Sequence, residues 1–352
     1  MSGRSSRTRD ERGGLTLRAI DLFCGAGGLT QGLRNAGFRV VGAIDSDELA
    51  VESYRLNHKR TRVWREDITQ LAPEEVMQEL GLEPGDVDLL AGCPPCQGFS
   101  AMRTRNGRLG IDDPDNELVF EFLRYARALR PRALMMENVP ALRDDARIEV
   151  IRQALRNLGY GIVDDVLDTV DYGVPQRRRR FIMLGLMGSD PTFGLPAARQ
   201  RTVAGAIGRL PIPAESMDEL HCVTEQRSDA IRRLIADIRK DGGSRTELPR
   251  ERQLACHLTH DGHKDVYGRM AWGEPAPTIT GGCVNPSKGR FLHPEQDRAI
   301  TPREAALLQS FPPRYRFATR RGKFAVAQQI GNALPPRFIE RHARSLRTAL
   351  ER

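Results

Sequence analysis

The run Gly92-Cys93-Pro94-Pro95-Cys96-Gln97-Gly98-Phe99-Ser100 follows a short apolar stretch, Val87–Ala91, that reads as a strand. Two chemistries compete for its cysteines. Cys93 and Cys96 form a Cys-x-x-Cys pair, the spacing of a redox motif or of half a zinc site. A thioredoxin-like pair opens a helix, however, and here two prolines and a glycine build a rigid loop. A four-cysteine zinc site needs a second close pair, whereas Cys222, Cys256 and Cys283 are scattered singly. The other reading makes Cys96 a nucleophile at the carboxyl end of a strand, where open α/β sheets bind their ligands.

A second locus is the turn Cys24-Gly25-Ala26-Gly27-Gly28-Leu29 after Ile20-Asp21-Leu22-Phe23. Its glycines permit a tight turn and let a ligand approach the backbone at a helix N-terminus. A dinucleotide fingerprint wants a further glycine at position 30, and Thr30 stands there. Asp45 closes the next strand, where a ribose-binding carboxylate belongs. Glycines without a pyrophosphate cradle suit an adenosine cofactor better than NAD. A third locus is Gln176-Arg177-Arg178-Arg179-Arg180. It is either a solvated basic patch or, because strand Phe181–Leu184 follows at once, an alternating segment with at least two arginines facing inward.

These loci need a frame to hold them. From Leu17 to about Gly188, short apolar runs alternate with longer amphipathic stretches. Leu17–Leu22, Val40–Ile44, Val87–Ala91, Ala133–Met136 and Phe181–Leu184 read as strands, and Asn116–Leu129 as a helix that Asn116 could cap. Strand–helix alternation implies a mostly parallel sheet with helices on both faces. Residues 189–300 are rich in Pro, Gly, His and Arg, with one clear helix near Ser228–Lys240, and read as a second, smaller domain. Helical texture returns from Thr301-Pro302-Arg303-Glu304, which carries N-cap, N1 and N3 residues in order. No internal repeat is present.

Composition narrows the classes. The 352 residues suffice for one or two domains with a full core. No apolar run of about 18 residues exists, so no membrane span is expected. The basic start, MSGRSSRTRDERGG, lacks an apolar core and does not read as a secretory signal; residues 1–14 read as a disordered tail. Six cysteines are too few for a disulfide scaffold and are expected to be reduced. Lys and Arg number 54 against 46 Asp and Glu, a net +8 that favours a polyanionic partner. Aromatics at 6% argue against a stacking-based binder of single strands.

Taken in order, the motifs resemble those of prokaryotic DNA cytosine-5 methyltransferases of the single-specificity type. Asp21–Gly28 resembles that family's first motif, which binds S-adenosylmethionine. Asp45 stands at the ribose-binding position, Asp67-Ile68 resembles the adenine-contacting pair, and Leu118 falls at the helix start beside the cofactor. Pro95-Cys96-Gln97 matches the catalytic loop, and Glu137-Asn138-Val139 the motif carrying the catalytic acid. Gln176–Arg180 fits Gln-x-Arg-x-Arg, placing Arg178 and Arg180 at its arginine positions. Thr301–Phe311 and Gly331-Asn332-Ala333 resemble the last two motifs. The matches cover about 18–188 and 270–340. Ser46 departs from the family's usual large aromatic over adenine, and Cys93 replaces a more usual glycine or aromatic.

The resemblance implies an α/β, Rossmann-like S-adenosylmethionine-dependent methyltransferase domain over 15–188. A smaller, irregular target-recognition domain over 189–300 follows, then C-terminal helices over 301–352 that return to the catalytic domain. Cys96, Glu137, Arg178 and Arg180 become the catalytic set. Phe23, Gly25, Ala26, Gly28, Asp45, Ser46, Asp67, Ile68, Pro95, Leu118, Asn332 and Leu334 become cofactor contacts. Gln97, Ser100, Thr278 and Ile279 become DNA contacts, and Lys264, Arg269 and Lys288 are read either as contacts to phosphate or base edges or as plain solvated basic residues. Gly98–Asp113, with Arg103, Arg105 and Arg108, would close over a flipped base. The implied reaction needs no metal, and Cys256-His257, His260 and His263 lack the matching half of a zinc site. The basic run Arg314–Lys323 reads as surface.

The implied partner is double-stranded DNA; the sequence leaves open a restriction–modification role beside a cognate endonuclease acting on the same site and a solitary, epigenetic one, and the implied protein is a cytoplasmic, nucleoid-associated monomer. Methylation of cytosine in structured RNA is the nearest rival, which the long variable stretch of about 110 residues disfavours. A catalytically idle DNA-binding regulator has no need of all four catalytic residues, and a NAD dehydrogenase no need of the cysteine loop.

Overall fold

The computed structural model describes residues 16–95, 117–223, 225–258 and 264–352, with residues 255 and 256 described in backbone only. Outside the described residues lie the tail 1–14, Cys96, Gln97, Ser100, the Gly98–Asp113 loop with Arg103, Arg105 and Arg108, Asn116, the Cys256 side chain, His260 and His263.

The chain divides into two compact units: Met1–Asp168, Arg179–Pro196 and Leu334–Arg352 form the first, and Thr169–Arg178 and Ala197–Ala333 the second. A seven-stranded sheet is the frame of the first unit. Its strands are β1 (Arg18–Leu22), β2 (Arg39–Ile44), β3 (Arg62–Trp64), β4 (Leu89–Gly92), β5 (Ala133–Asn138), β6 (Tyr160–Asp168) and β7 (Arg179–Met187), in the order β3-β2-β1-β4-β5-β7-β6. The first five run parallel, and β7 is antiparallel to both β5 and β6. All six residues of β5 are buried, as expected of a central strand covered on both faces.

Alternation splits β2 and β3 between two apolar clusters. Ile20, Leu22 and Ile44 pack with residues of α3 (Pro73–Leu80), α4 (Val119–Leu129) and α5 (Ala146–Asn157). Ala43 and Val63 pack with Val51 and Tyr54 of α2 (Glu48–Asn57). Helix α1 (Gly28–Asn35) packs against the last helix of the chain, α10 (Pro336–Leu350), numbered after the four longer helices of the second unit. Gly32 makes that approach possible, since a Cβ there would lie 2.5 Å from Ile339 Cβ and 2.6 Å from the Pro336 carbonyl.

The second unit is short in regular structure. Besides the four-residue helix Ala255–Leu258, it holds α6 (Val203–Ile207), α7 (Asp229–Asp237), α8 (Pro302–Leu308) and α9 (Gly322–Asn332) among its described residues, with isolated bridges such as Arg269↔Leu292. Thr301 caps α8, with Pro302 at N1 and Glu304 at N3 completing a reciprocal capping box. Hydrogen bonding replaces sheet at its centre. Arg269 is wholly buried, and its guanidinium donates to the carbonyls of Ile235, Ile238, His293 and Gln296 and pairs with Asp297. Both readings of Arg269, as a DNA contact and as a solvated basic residue, are therefore corrected, because its donors are consumed inside the unit. Lys264 and Lys288 are exposed. Among the described residues, no helix is long and apolar enough to cross a membrane.

Candidate active site

Strand order reverses between β1 and β4, so the loops leaving their carboxyl ends part and leave a crevice of the kind in which open sheets bind ligands. The β1 loop is tightly specified. Phe23 takes a left-handed φ of 60°, Gly25 one of 52° and Gly27 one of 93° as the N-cap of α1. A left-handed phenylalanine costs on the order of 1–3 kcal/mol and persists only where its surroundings over-determine it. Those surroundings are visible: Cys24 N–H donates to the Ile44 carbonyl at 3.0 Å, and Gly25 N–H donates to Asp45 Oδ2 at 2.7 Å. The other oxygen of Asp45 accepts from Asp47 N–H at 2.9 Å. Burial raises the Asp45 carboxyl above its ordinary value, and these two N–H donors offset part of that rise.

Beneath the loop, Asp21 is fully buried and accepts from Thr30 Oγ1 at 2.6 Å, which lies 2.8 Å from Tyr54 Oη. Thr30, where a dinucleotide fold wants glycine, thus anchors the strand-to-helix turn from below. Where a Cβ on Gly25 would stand there is open space. Asp67 accepts from the backbone and hydroxyl of Thr69, both at 2.9 Å, and the carbonyl of buried Ile68 is held by Arg124 at 2.5 Å. Leu118 is partly buried against the same core.

On the other side of the switch point, β5 and β7 bring two charged groups together. Glu137 pairs with Ile182 in register, so Arg180, two residues along β7, shares its face. Arg180 Nε and Glu137 Oε1 lie 2.9 Å apart, with side-chain exposures of 16% and 7%. Asn138, next on β5, reaches across to β4 and donates to the Pro94 carbonyl at 2.9 Å. Cys93 lies beside Glu137. Burial, then the Glu137 charge, push its thiol well above the ordinary value, so its thiolate is disfavoured.

The sequence profile of the C-5 cytosine-specific DNA methylases matches residues 17–348. The chain belongs to that family. Type II methylase M.HgiDII of Herpetosiphon aurantiacus is 38% identical over 348 residues, covering 94% of this chain and 95% of its own. Type II methyltransferase M1.HphI of Haemophilus parahaemolyticus is 34% identical, with 92% and 84% covered. Among solved structures, the chain is similar to a prophage-encoded E. coli protein assigned as a DNA modification methyltransferase. That likeness has 26% identity and a TM-score of 0.75, over 96% of this chain and 100% of the other. The activity is that of a DNA (cytosine-5-)-methyltransferase, and members of the family take their methyl group from S-adenosylmethionine.

Within the first unit of this methylase, the structure brings together Phe23, Gly25, Ala26, Gly28, Asp45 and Ser46 at the carboxyl ends of β1 and β2, and Pro95, Glu137 and Arg180 at those of β4 and β5. Leu334, buried, belongs to this unit too. Arg178 falls in the second unit, where it is buried and donates to the carbonyls of Ile279 at 2.9 Å and Gly331 at 3.0 Å. Ile279 N–H in turn donates to Gln176 Oε1 at 2.6 Å, and Thr278 Oγ1 to the Arg177 carbonyl at 2.8 Å. Gln176 Nε2 donates to Gln309 Oε1 at 2.8 Å. Asn332 lies at the end of α9 and accepts from Gln328 at 2.8 Å. Sequence reasoning gave no role to Asn138, Gln176 or Gln309. Asn138 follows the acid on a strand next to the cysteine loop, a signal that could have marked it. Of the suspected zinc cluster only the His257 side chain is described, and it faces the Tyr267 ring with centroids 5.5 Å apart.

Proposed function

We propose that the chain methylates carbon 5 of a flipped cytosine in a specific short duplex DNA site, through a covalent bond from Cys96 to cytosine C6. The observation that carries this reading is the Glu137–Arg180 pair beside a Pro94 carbonyl gripped by Asn138, two residues before Cys96. S-adenosylmethionine fits the loop beyond β1. The open space beside Gly25 accommodates its methionine part, Asp45 offers a carboxylate for ribose hydroxyls, and Ile68 and Leu118 are the proposed apolar contacts of adenine. When bound, it supplies an electrophilic methyl group. Asp67 would accept from the adenine amine, and Phe23, Ala26, Gly28, Ser46 and Pro95 would line the same carboxyl edge.

Cytosine C5 is a weak nucleophile until C6 carries an added thiolate, which turns the ring into an enamine. Cys96 makes that bond. Glu137, in its protonated form, donates to N3 as the ring takes up electrons and accepts from the exocyclic amine. Arg180 holds the ring oxygen O2 while keeping Glu137 in position. Loss of the C5 proton to water or another base then expels Cys96 and restores the ring. Extrusion of the base from the duplex costs a few kcal/mol, which the pocket must return. The Type II relatives point to a modification role beside an endonuclease of the same specificity.

Labelled S-adenosylmethionine, mixed-sequence duplex DNA and base-resolution mapping of 5-methylcytosine test the reading. One short methylated motif supports it. A preference for tRNA in direct competition, or no methylated cytosine with the cofactor still bound, sinks the duplex substrate.

A further inference from the structure

Cys93 has no part in the chemistry above, yet it stands beside the acid. Within the first unit, β4 and β5 run parallel with Gly92 opposite Met136, so the next pair along that register is Cys93 and Glu137, on one face. The backbone pins the cysteine from both sides. Its N–H donates to the Leu22 carbonyl at 3.2 Å, and the carbonyl of Pro94 after it is held by Asn138 at 2.9 Å. Gly92 before it has no slack, since a Cβ there would lie 3.1 Å from Leu22 Cβ and 3.2 Å from Phe122 Cδ2. The thiol donates to the Glu137 carboxyl, and Asp21 and Arg180 are the other charged groups that bear on it.

Neither chemistry of a Cys-x-x-Cys pair suits such a thiol. Burial and the Glu137 charge keep it protonated, and the thiolate is the form that attacks or binds metal. A protonated thiol can still donate. Arg180 Nε holds Glu137 at Oε1, 2.9 Å away. A carboxyl anchored at one oxygen turns easily, because the terminal torsion of glutamate is soft. Cys93 reaches it from β4 and Arg180 from β7, the two strands that flank β5.

Resting on the catalytic reading above, we propose that Cys93 is a positioning residue for the acid: its thiol and the Arg180 guanidinium grip the Glu137 carboxyl from opposite sides and fix the plane in which it meets cytosine N3. A thiol suits that task because it is a weak donor. It orients the carboxyl while favouring the ionised form less than a hydroxyl would, and Glu137 must carry a proton when the base arrives.

The test follows single-turnover methylation of duplex DNA across pH for the full-length wild type, Cys93→Ala, Cys93→Ser and Glu137→Gln. The limb of the pH profile that Glu137→Gln abolishes belongs to the acid. Cys93→Ala should slow the reaction by about 3- to 10-fold, the scale of one hydrogen bond, and move that limb up by about 0.3 to 1 unit, because a donor to the ionised form is gone. Affinities for DNA and S-adenosylmethionine should hold within about twofold, which places the loss in the chemical step. Cys93→Ser keeps a donor, so its rate should stay within about threefold of wild type, with the limb at or below the wild-type position. An unmoved limb in Cys93→Ala, or a limb that rises in Cys93→Ser as well, overturns the inference and leaves the duplex reading standing. If the alanine variant does not fold, the nearly isosteric serine variant decides by the direction of its limb. A wild type that methylates no duplex, or a profile that Glu137→Gln leaves unchanged, removes the catalytic reading and this inference with it.

Discussion

Glu137 and Arg180 meet at 2.9 Å, and removing the proton donor should be felt in the chemical step. Glu137→Gln is expected to slow single-turnover methylation by about 10²- to 10⁴-fold, the usual scale of general acid catalysis. A loss below tenfold would mean that N3 gains its proton elsewhere. Cys96→Ser should retain DNA and cofactor binding but lose turnover, because a serine alkoxide is inaccessible near neutral pH. Near-normal turnover would remove Cys96 from the mechanism. Asp21 makes a different prediction. Burial pushes its carboxyl up to about 7, the Thr30 hydroxyl pulls it back and the Asp45 charge adds to the rise. In the unfolded chain it titrates near 4. Between about 4 and 7 the folded state therefore binds more protons than the unfolded one, so this group's stabilisation falls as pH rises and is flat beyond. The Tm of Asp21→Asn relative to wild type should climb across that window and then level. A difference independent of pH would show that Asp21 does not titrate there.

Elements show where sequence patterns carry information and where they do not. Strands β1, β2, β4, β5 and β7 were legible because covered strands read as near-continuous apolar runs. Strand β3 has only Arg62, Val63 and Trp64, too few to establish a period. Strand β6 carries Asp164, Asp165 and Asp168 because it lies at the sheet edge, with most of its residues half-buried. The residues at the carboxyl edge were nameable through their motifs, and the α8 capping box through local chemistry alone. The Asn138 grip on Pro94 was not, since it depends on which strands become neighbours. Arg269 was illegible for a related reason: a buried arginine and a phosphate-binding arginine are the same letter until carbonyls surround one of them. Close packing gives a prediction at this scale. Gly32→Ala forces α1 and α10 apart, and overpacking of that kind typically costs about 1–3 kcal/mol. Chemical denaturation should show that loss, and unchanged stability would mean the helices separate freely.

At the level of the whole molecule, the net +8 charge should make duplex binding salt-sensitive. Raising salt from about 50 to 200 mM should weaken DNA affinity by at least about tenfold while S-adenosylmethionine affinity holds within twofold. Salt-insensitive DNA binding would detach the charge from the substrate. The path of the backbone has a different kind of consequence. The chain passes between its two units four times, and the first unit is completed only by Leu334–Arg352. During synthesis every residue of the second unit therefore leaves the ribosome before the sheet domain has its closing helix. Until then the groove at Gly32 has nothing to receive, and the nascent sheet domain exposes apolar surface of the kind that invites aggregation. A premature stop just before Leu334 would spare every catalytic residue named here and still yield a chain with an open flank, prone to aggregate rather than to methylate.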